Sequence, residues 1–306
     1  MRTVTLLSGG VGGARMARGL AAVPGLHDRT IVVNVGDDEE IYGVHVSPDL
    51  DTVMYTLAGI EGPHGWGIAG DTFEVIDRMA ALGVDATFRL GDRDRATCLL
   101  RTEALADGTP LSAVTARLAT AYGLGPRLLP ATDDRLRTTI DTITGERLSF
   151  QEYFVLRGHR DEVAAVHFEG APAARPAPGV IEAMSGADLV VVAPSNPPLS
   201  IWPILAIPGV RDTLTEARVA AVSPLFGGRA LKGPADRVMA ALGLPPGNAG
   251  VLAAYGGLLD LLVVDEGDAA DTALATGDTR VVAADTRIAD PEAAARFAAW
   301  LIEEAA

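Results

Sequence analysis

The first 33 residues constrain the fold of this chain more than any other stretch. Residues 3–7 (TVTLL) form a short apolar run that breaks directly into a glycine-rich turn, 8–13 (SGGVGG), and residues 14–22 have helical composition. A second apolar run follows at 30–33. Strand, glycine turn, helix and strand in that order predict a parallel α/β sheet, because parallel neighbours need a crossover, usually a helix. The same unit commonly cradles a phosphate, with backbone N–H groups and a helix N-terminus facing the anion. Gly9, Gly10, Gly12 and Gly13 are the candidate cradle residues, and a tight turn without a ligand is the alternative. The dinucleotide fingerprint is not met: Gly10 and Gly12 fit G-x-G, but Arg15 stands at the third position.

Residues 34–52, NVGDDEEIYGVHVSPDLDT, follow the second strand. Asp37, Asp38, Glu39 and Glu40 are read as a loop, and Asp49 and Asp51 lie a few residues on. Asp51 and Thr52 open a run with helical spacing, so Asp49 or Asp51 is placed at or near a helix N-cap. Acidic groups converging just past a strand end suit a hard divalent cation such as Mg²⁺, which prefers oxygen ligands. Read alone, the stretch fits equally a solvated acidic turn followed by a capping Asp.

Further along, 71–82 is helical and ends at Gly83. Residues 87–97 (TFRLGDRDRAT) read as a charged loop carrying Arg89, Asp92 and Arg93, ahead of helices at 99–105 and 110–122. Such a run is usually a solvated face; at a strand end its arginines can also fork onto phosphates or ring carbonyls. Residues 127–168 change character to antiparallel β, with 148–156 as one arm of a hairpin, and are read as a peripheral lid or dimer arm. A linker, 170–178, follows. In the second half a buried strand, 188–193, breaks into Pro194-Ser195-Asn196-Pro197, and another, 219–222, breaks into Ser223-Pro224-Leu225. Lys232 precedes a helix at 235–242. Strands at 259–264 and 279–284 alternate with helices at 269–275 and 291–302. The expected architecture is a single Rossmann-like, three-layer α/β domain spanning 1–306. Its sheet is mostly parallel, with helical and β-hairpin insertions, the peripheral one at about 127–170.

Several function classes are excluded at this point. A net charge of −15 argues against nucleic-acid binding, which needs a basic surface. The lone Cys98 permits no internal disulfide or multi-cysteine zinc site and fits a reducing cytoplasm. No apolar run approaches the ~20 residues that span a bilayer. Lys232 is the only lysine and follows Leu231, so there is no Walker A loop. Ser195 is not in a G-x-S-x-G elbow.

Taken together, SGGVGGAR, VVNVGDD, SPDLDT, LGDRDRAT, LLPATDD, APSNP, VSPLFGG and LKGPAD resemble the 2-phospho-L-lactate transferase family, in family order and over nearly the whole chain. The resemblance implies an Mg²⁺-dependent, typically homodimeric enzyme of coenzyme F420 biosynthesis. It moves a phosphoenolpyruvyl or 2-phospho-L-lactyl group from a guanosine diphosphate-linked donor to the ribityl hydroxyl of 7,8-didemethyl-8-hydroxy-5-deazariboflavin, releasing GMP. It also implies Asp37 and Asp51 as metal ligands and catalytic residues, with Asp49 and Asp38 behind them, and Arg89 against the deazaflavin. Gly9 to Gly13, Ser195, Asn196 and Ser223 would face the donor; Asn34, Asp49, Thr52, Asp92, Arg93 and Lys232 complete the expected binding set. On this reading Asp51→Asn abolishes GMP release and leaves the fold intact. The rival is a related CofD-like protein that binds nucleotide sugars and regulates without turnover.

Overall fold

The structure, a computed structural model, describes residues 2–306. In chain order, β1 (Arg2–Ser8), α1 (Gly10–Ala22) and β2 (Leu26–Val33) lead to a small hairpin, β3 (Glu39–Ile41) and β4 (Val44–Val46). Four helices follow: α2 (Pro48–Ala58), α3 (Glu74–Ala81), α4 (Asp92–Ala106) and α5 (Leu111–Ala121). After β5 (Arg127–Pro130) comes an antiparallel section, β6 (Arg137–Thr142), β7 (Arg147–Ser149) and β8 (Val163–Glu169). The chain continues through α6 (Val180–Ser185), β9 (Leu189–Val192), α7 (Trp202–Leu205), α8 (Val210–Thr215) and β10 (Val219–Val222). A two-stranded ribbon, β11 (Leu225–Phe226) and β12 (Arg229–Ala230), precedes α9 (Ala235–Ala241) and α10 (Asn248–Tyr255). The last elements are β13 (Leu261–Asp265), β14 (Arg280–Ala284) and α11 (Pro291–Glu304).

Seven strands form one sheet in the order β14-β13-β10-β9-β1-β2-β5, and every pairing in it is parallel. Every residue of β9 (LVVV), β10 (VAAV) and β13 (LLVVD) is buried, as expected for strands covered by helices on both faces. Helix α1 buries Ala14, Met16, Ala17 and Leu20 on one side and lies against α2 and α11. The chain winds outward from β1 through β2 to β5, then returns to β9 and winds the other way. The strand order therefore reverses between β1 and β9, and such a switch point opens a crevice at the carboxyl ends of the strands. The glycine turn and Ser195 stand on either side of it.

Several local expectations are corrected. Arg127–Pro130 pairs with β2 in the main sheet, so the antiparallel section begins only after it. Residues 152–156 form a wide helical turn instead of continuing a strand, and 266–274 is 3₁₀ rather than α-helical. Helix α10 was not anticipated. The acidic loop contains the β3–β4 hairpin, turned by Tyr42 (φ 53°) and Gly43 (φ 74°). Two successive positive φ values match the right-handed twist of the strands they join.

The charged run 92–95 is not a loop. It is the first turn of α4, held from outside: Asp71 accepts from the backbone N–H groups of Arg93 and Asp94 at 2.8 and 3.0 Å. In return Asp92 accepts from the N–H groups of Glu74 and Val75 at 2.9 and 3.1 Å. Each helix start is thus capped by a carboxylate about 20 residues away, which replaces the missing local cap.

Candidate active site

The two halves of the sheet meet at the glycine turn. Ser195, just past β9, donates its hydroxyl to the Gly9 carbonyl at 2.7 Å, and the Gly9 N–H lies 3.2 Å from the same oxygen. A side chain at Gly12 would collide with the Pro194 carbonyl, and one at Gly13 with the Ser8 hydroxyl. Only glycine lets the turn lie this close to β9. Gly10 has a φ of +65°, and no atom lies within 4 Å of where its Cβ would be. That side of the turn is open.

Asn34, at the end of β2, joins the two acidic motifs. Its amide nitrogen donates to Asp37 Oδ1 at 3.0 Å and to Asp49 Oδ2 at 2.9 Å, while its oxygen accepts from the Gly36 N–H at 2.8 Å. The other oxygen of Asp49 accepts from the Gly10 N–H at 2.7 Å. Asp49 thereby ties the acidic stretch to the glycine turn. Asp38 accepts from the Ser47 hydroxyl at 2.8 Å and meets His45 Nε2 at 2.9 Å through the same oxygen. The antiparallel section closes one wall: Gln151 donates to the Asp37 carbonyl at 2.7 Å, and the Thr138 N–H to the Gly36 carbonyl at 2.7 Å.

All four aspartates are buried, with 1–6% of their surface exposed. Burial pushes the Asp37 carboxyl well above the usual range, and the neighbouring charge of Asp49 pushes it further. Burial raises Asp49 to about 6, against the hydrogen bonds from Asn34 and Gly10. Removal from water disfavours the charged form, and a nearby anion disfavours it again.

Asp51 is held differently. Both of its oxygens face the guanidinium of Arg101, one at 3.0 Å and the other in a shorter contact, and the two side chains are only 5% and 1% exposed. Burial raises the Asp51 pKa and Arg101 opposes that rise. Arg101 also donates to the His45 carbonyl at 3.2 Å, so α4 grips both α2 and the hairpin. Beyond Asp51, the Tyr55 hydroxyl donates to Asp94 at 2.8 Å, and burial raises Asp94 to about 7.

Among the described residues, one trio brings three ligand atoms together. Ligand atoms of Asp51, Asp94 and Cys98 lie within 4.8 Å of one another. That trio suits a hard cation poorly, since burial drives the Cys98 thiol towards its protonated form and Arg101 occupies Asp51. The Asp37–Asp38–Asp49 group has the better chemistry, offering only oxygen, and Asp38 Oδ1 is buried without any hydrogen-bond partner; its carboxylates are spread around the Asn34 amide rather than gathered on one point. A cation there would supply the missing partner and relieve the repulsion.

The other expected residues fall into two sets. Thr52 is buried in the first turns of α2, and Asn196 caps the turn after β9 by accepting from the Leu199 N–H at 3.2 Å. Ser223, past β10, donates to Asn248 at 2.5 Å. Away from the cluster's hydrogen-bond network, Arg89 pairs with Asp77 at 2.6 Å and lies over the Phe73 ring at 4.7 Å. Asp92 is engaged as the cap of α3, and Arg93 and Lys232 are exposed. Arg101, Asp94 and Gln151 were missed by the sequence reading. Helix α4 is inside out: Leu99 and Leu100 are 52% and 44% exposed, while Arg101 is 1% exposed.

The family model of the 2-phospho-L-lactate transferase CofD matches residues 4–298. A protein from Streptomyces griseus named phosphoenolpyruvate transferase is 46% identical over 87% of this chain and 86% of its own length. One of the same name from Thermobifida fusca is 42% identical over 98% of this chain and 97% of its own. A UPF0052 family protein from Bacillus halodurans, solved by crystallography, superposes with a TM-score of 0.63 at 15% identity, over 98% of both chains. That likeness concerns the fold. Matched over nearly its whole length, the chain belongs to the family of the 2-phospho-L-lactate transferase CofD.

Proposed function

We propose that this protein transfers a phosphoenolpyruvyl or 2-phospho-L-lactyl group from a guanosine diphosphate-linked donor to the ribityl hydroxyl of the deazaflavin acceptor, releasing GMP. The acceptor oxygen attacks the phosphorus that carries the three-carbon acid. The new P–O bond forms as the bond to the GMP oxygen breaks; GMP leaves with that electron pair, and the hydroxyl proton passes to a base. Membership of the family supports the transferase reading, and the names of the relatives at 42–46% identity favour the enolpyruvyl donor. The observation that carries it is Asp49, which spans the junction between the open glycine turn and the acidic cluster.

The residues divide the work. The first turn of α1 leaves backbone N–H groups without intrahelical acceptors, which suits the donor's diphosphate. Asp37, with Asp38 and Asp49, would hold Mg²⁺, which would neutralise charge developing on the phosphoryl oxygens; Asp51, expected beside them, is taken by Arg101. Asp51, fixed by Arg101, contributes a charge of set orientation. Arg89, on the α3 side, is offered to the deazaflavin ring. As in the family, the active form would be a cytoplasmic homodimer.

The test is to incubate the protein with the deazaflavin, Mg²⁺ and each guanylylated three-carbon donor in turn, and follow GMP. Stoichiometric GMP and deazaflavin phosphodiester are expected with the enolpyruvyl donor. No GMP with any donor, by a folded protein, would overturn the proposal. Sedimentation gives the oligomeric state independently.

A further inference from the structure

Arg15 has no part in the chemistry above, yet its surroundings are unusual. It lies on the face of α1 that runs away from the glycine turn, in line with Val11 and Arg18 at helical spacing. These three residues, with Thr56 of α2 and Glu61 and Gly65 of the following loop, line a cavity of about 350 Å³. The loop is preformed: the Gly62 N–H donates to the Gly67 carbonyl and the Gly65 N–H to the Gly62 carbonyl, both at 2.9 Å.

The charges in this cavity do not balance. Glu61 is taken by Arg18 at 2.5 Å, and Arg18 also donates to the Ala289 carbonyl at 3.1 Å. Arg18 Nε is buried with no partner. Among the described residues, no hydrogen bond or ion pair is formed by the Arg15 side chain, although it is partly withdrawn from water beside a second cation. Burial and the neighbouring Arg18 both lower the Arg15 pKa, against Glu61. A guanidinium without a protein partner, facing a cavity, keeps its donors free for a ligand.

We propose that this cavity is an oxyanion-binding site, separate from the acidic cluster, in which Arg15 takes the phosphate or carboxylate group of a small molecule in a two-point fork. A guanidinium presents paired donors that match either group. Arg18, anchored by Glu61 and Ala289, adds positive charge beside it. Two sources carry this chemistry: the acid end of a donor already seated on the glycine turn, which Val11 adjoins, or a free phosphorylated acid acting as an effector. The free-ligand arm is independent of the transferase reading, because binding is measured directly; the donor arm rests on that reading.

Calorimetry with phosphoenolpyruvate and with inorganic phosphate, on the wild type and on Arg15→Gln and Arg15→Lys, is the test, together with donor KM in the GMP assay. If the ligand is free, Arg15→Gln weakens phosphoenolpyruvate binding at least tenfold, Arg15→Lys restores part of it, and donor KM stays put. If the ligand is the donor's own acid end, Arg15→Gln raises donor KM at least tenfold while acceptor KM and kcat change little. A folded Arg15→Gln protein that keeps both phosphoenolpyruvate affinity and donor KM within twofold of wild type overturns the proposal. Should Arg15→Gln fail to fold, Arg15→Lys and Arg18→Lys give the same comparison. Absence of turnover in the wild type would count against the transferase assignment alone.

Discussion

Arg101→Met is the most discriminating perturbation this structure offers. The guanidinium and the Asp51 carboxylate are 1% and 5% exposed and joined at two points. Methionine keeps most of the aliphatic stem and removes the charge, so the loss is electrostatic rather than a cavity. Taking one partner from a buried pair costs about 3–5 kcal/mol, because the remaining charge is left without water or counter-ion. The cost is also pH-dependent. Asp51 freed of Arg101 has its folded pKa raised further above the unfolded value, so stability is lost as pH rises through that window, and the variant suffers less at pH 5 than at pH 8. Urea denaturation followed by circular dichroism gives the magnitude, and the cycle with Asp51→Leu gives the coupling. Arg101→Met/Asp51→Leu, which removes both charges, should lie within about 1 kcal/mol of wild type, far above either single variant. Additivity of the two single changes to within about 0.5 kcal/mol would show that the pair contributes nothing jointly and refute the reasoning. The same argument changes the expectation for Asp51→Asn: it strands a buried guanidinium, so it cannot leave the fold untouched.

Asp37→Asn is the cleaner probe of chemistry, since Asp37 is opposed by burial and by Asp49. We expect GMP release to fall at least about a hundredfold while the urea midpoint at pH 8 holds or rises; a fall of several kcal/mol would mean that the charge supports the fold. Without divalent cation, stability should decline from about pH 4 to pH 7, because Asp49 and Asp94, raised to about 6 and about 7, hold protons in the folded state that the unfolded chain releases at about pH 4. Thermal melts across that range check the sign, and a flat profile would contradict the burial of these groups. Added Mg²⁺ should raise stability most at the alkaline end, by RT ln(1 + [Mg²⁺]/Kd), and Asp37→Asn should blunt that gain. Gly12→Ala, driven against the Pro194 carbonyl, should cost roughly 1–3 kcal/mol; an unchanged urea midpoint would show that the turn and β9 separate freely.

Much of this protein was legible in its residues because the relevant signals are local. Residues 189–193 and 219–222 are uninterrupted apolar runs, and such runs belong to parallel strands buried on both faces. The glycine turn declared itself by composition, and the aspartates by number. What went wrong failed for lack of local information. Helix α4 starts at Asp92 with its cap supplied by Asp71, from 22 and 23 residues away. Arg127–Pro130 looked like the opening of the antiparallel section, yet it pairs with β2.

The sequence by itself determined the layered α/β plan, the family, and the two motifs that make the site, since strand, turn and helix patterns and their order are properties of neighbours along the chain. The tertiary structure alone decided which carboxylates stand together. Asp37 and Asp51 seemed the natural pair, but Asn34 draws Asp37 to Asp49, and Arg101, 50 residues further on, claims Asp51. Burial then sets their proton affinities, because charge in a dry interior depends on what surrounds it from every element, and no spacing along the chain encodes that.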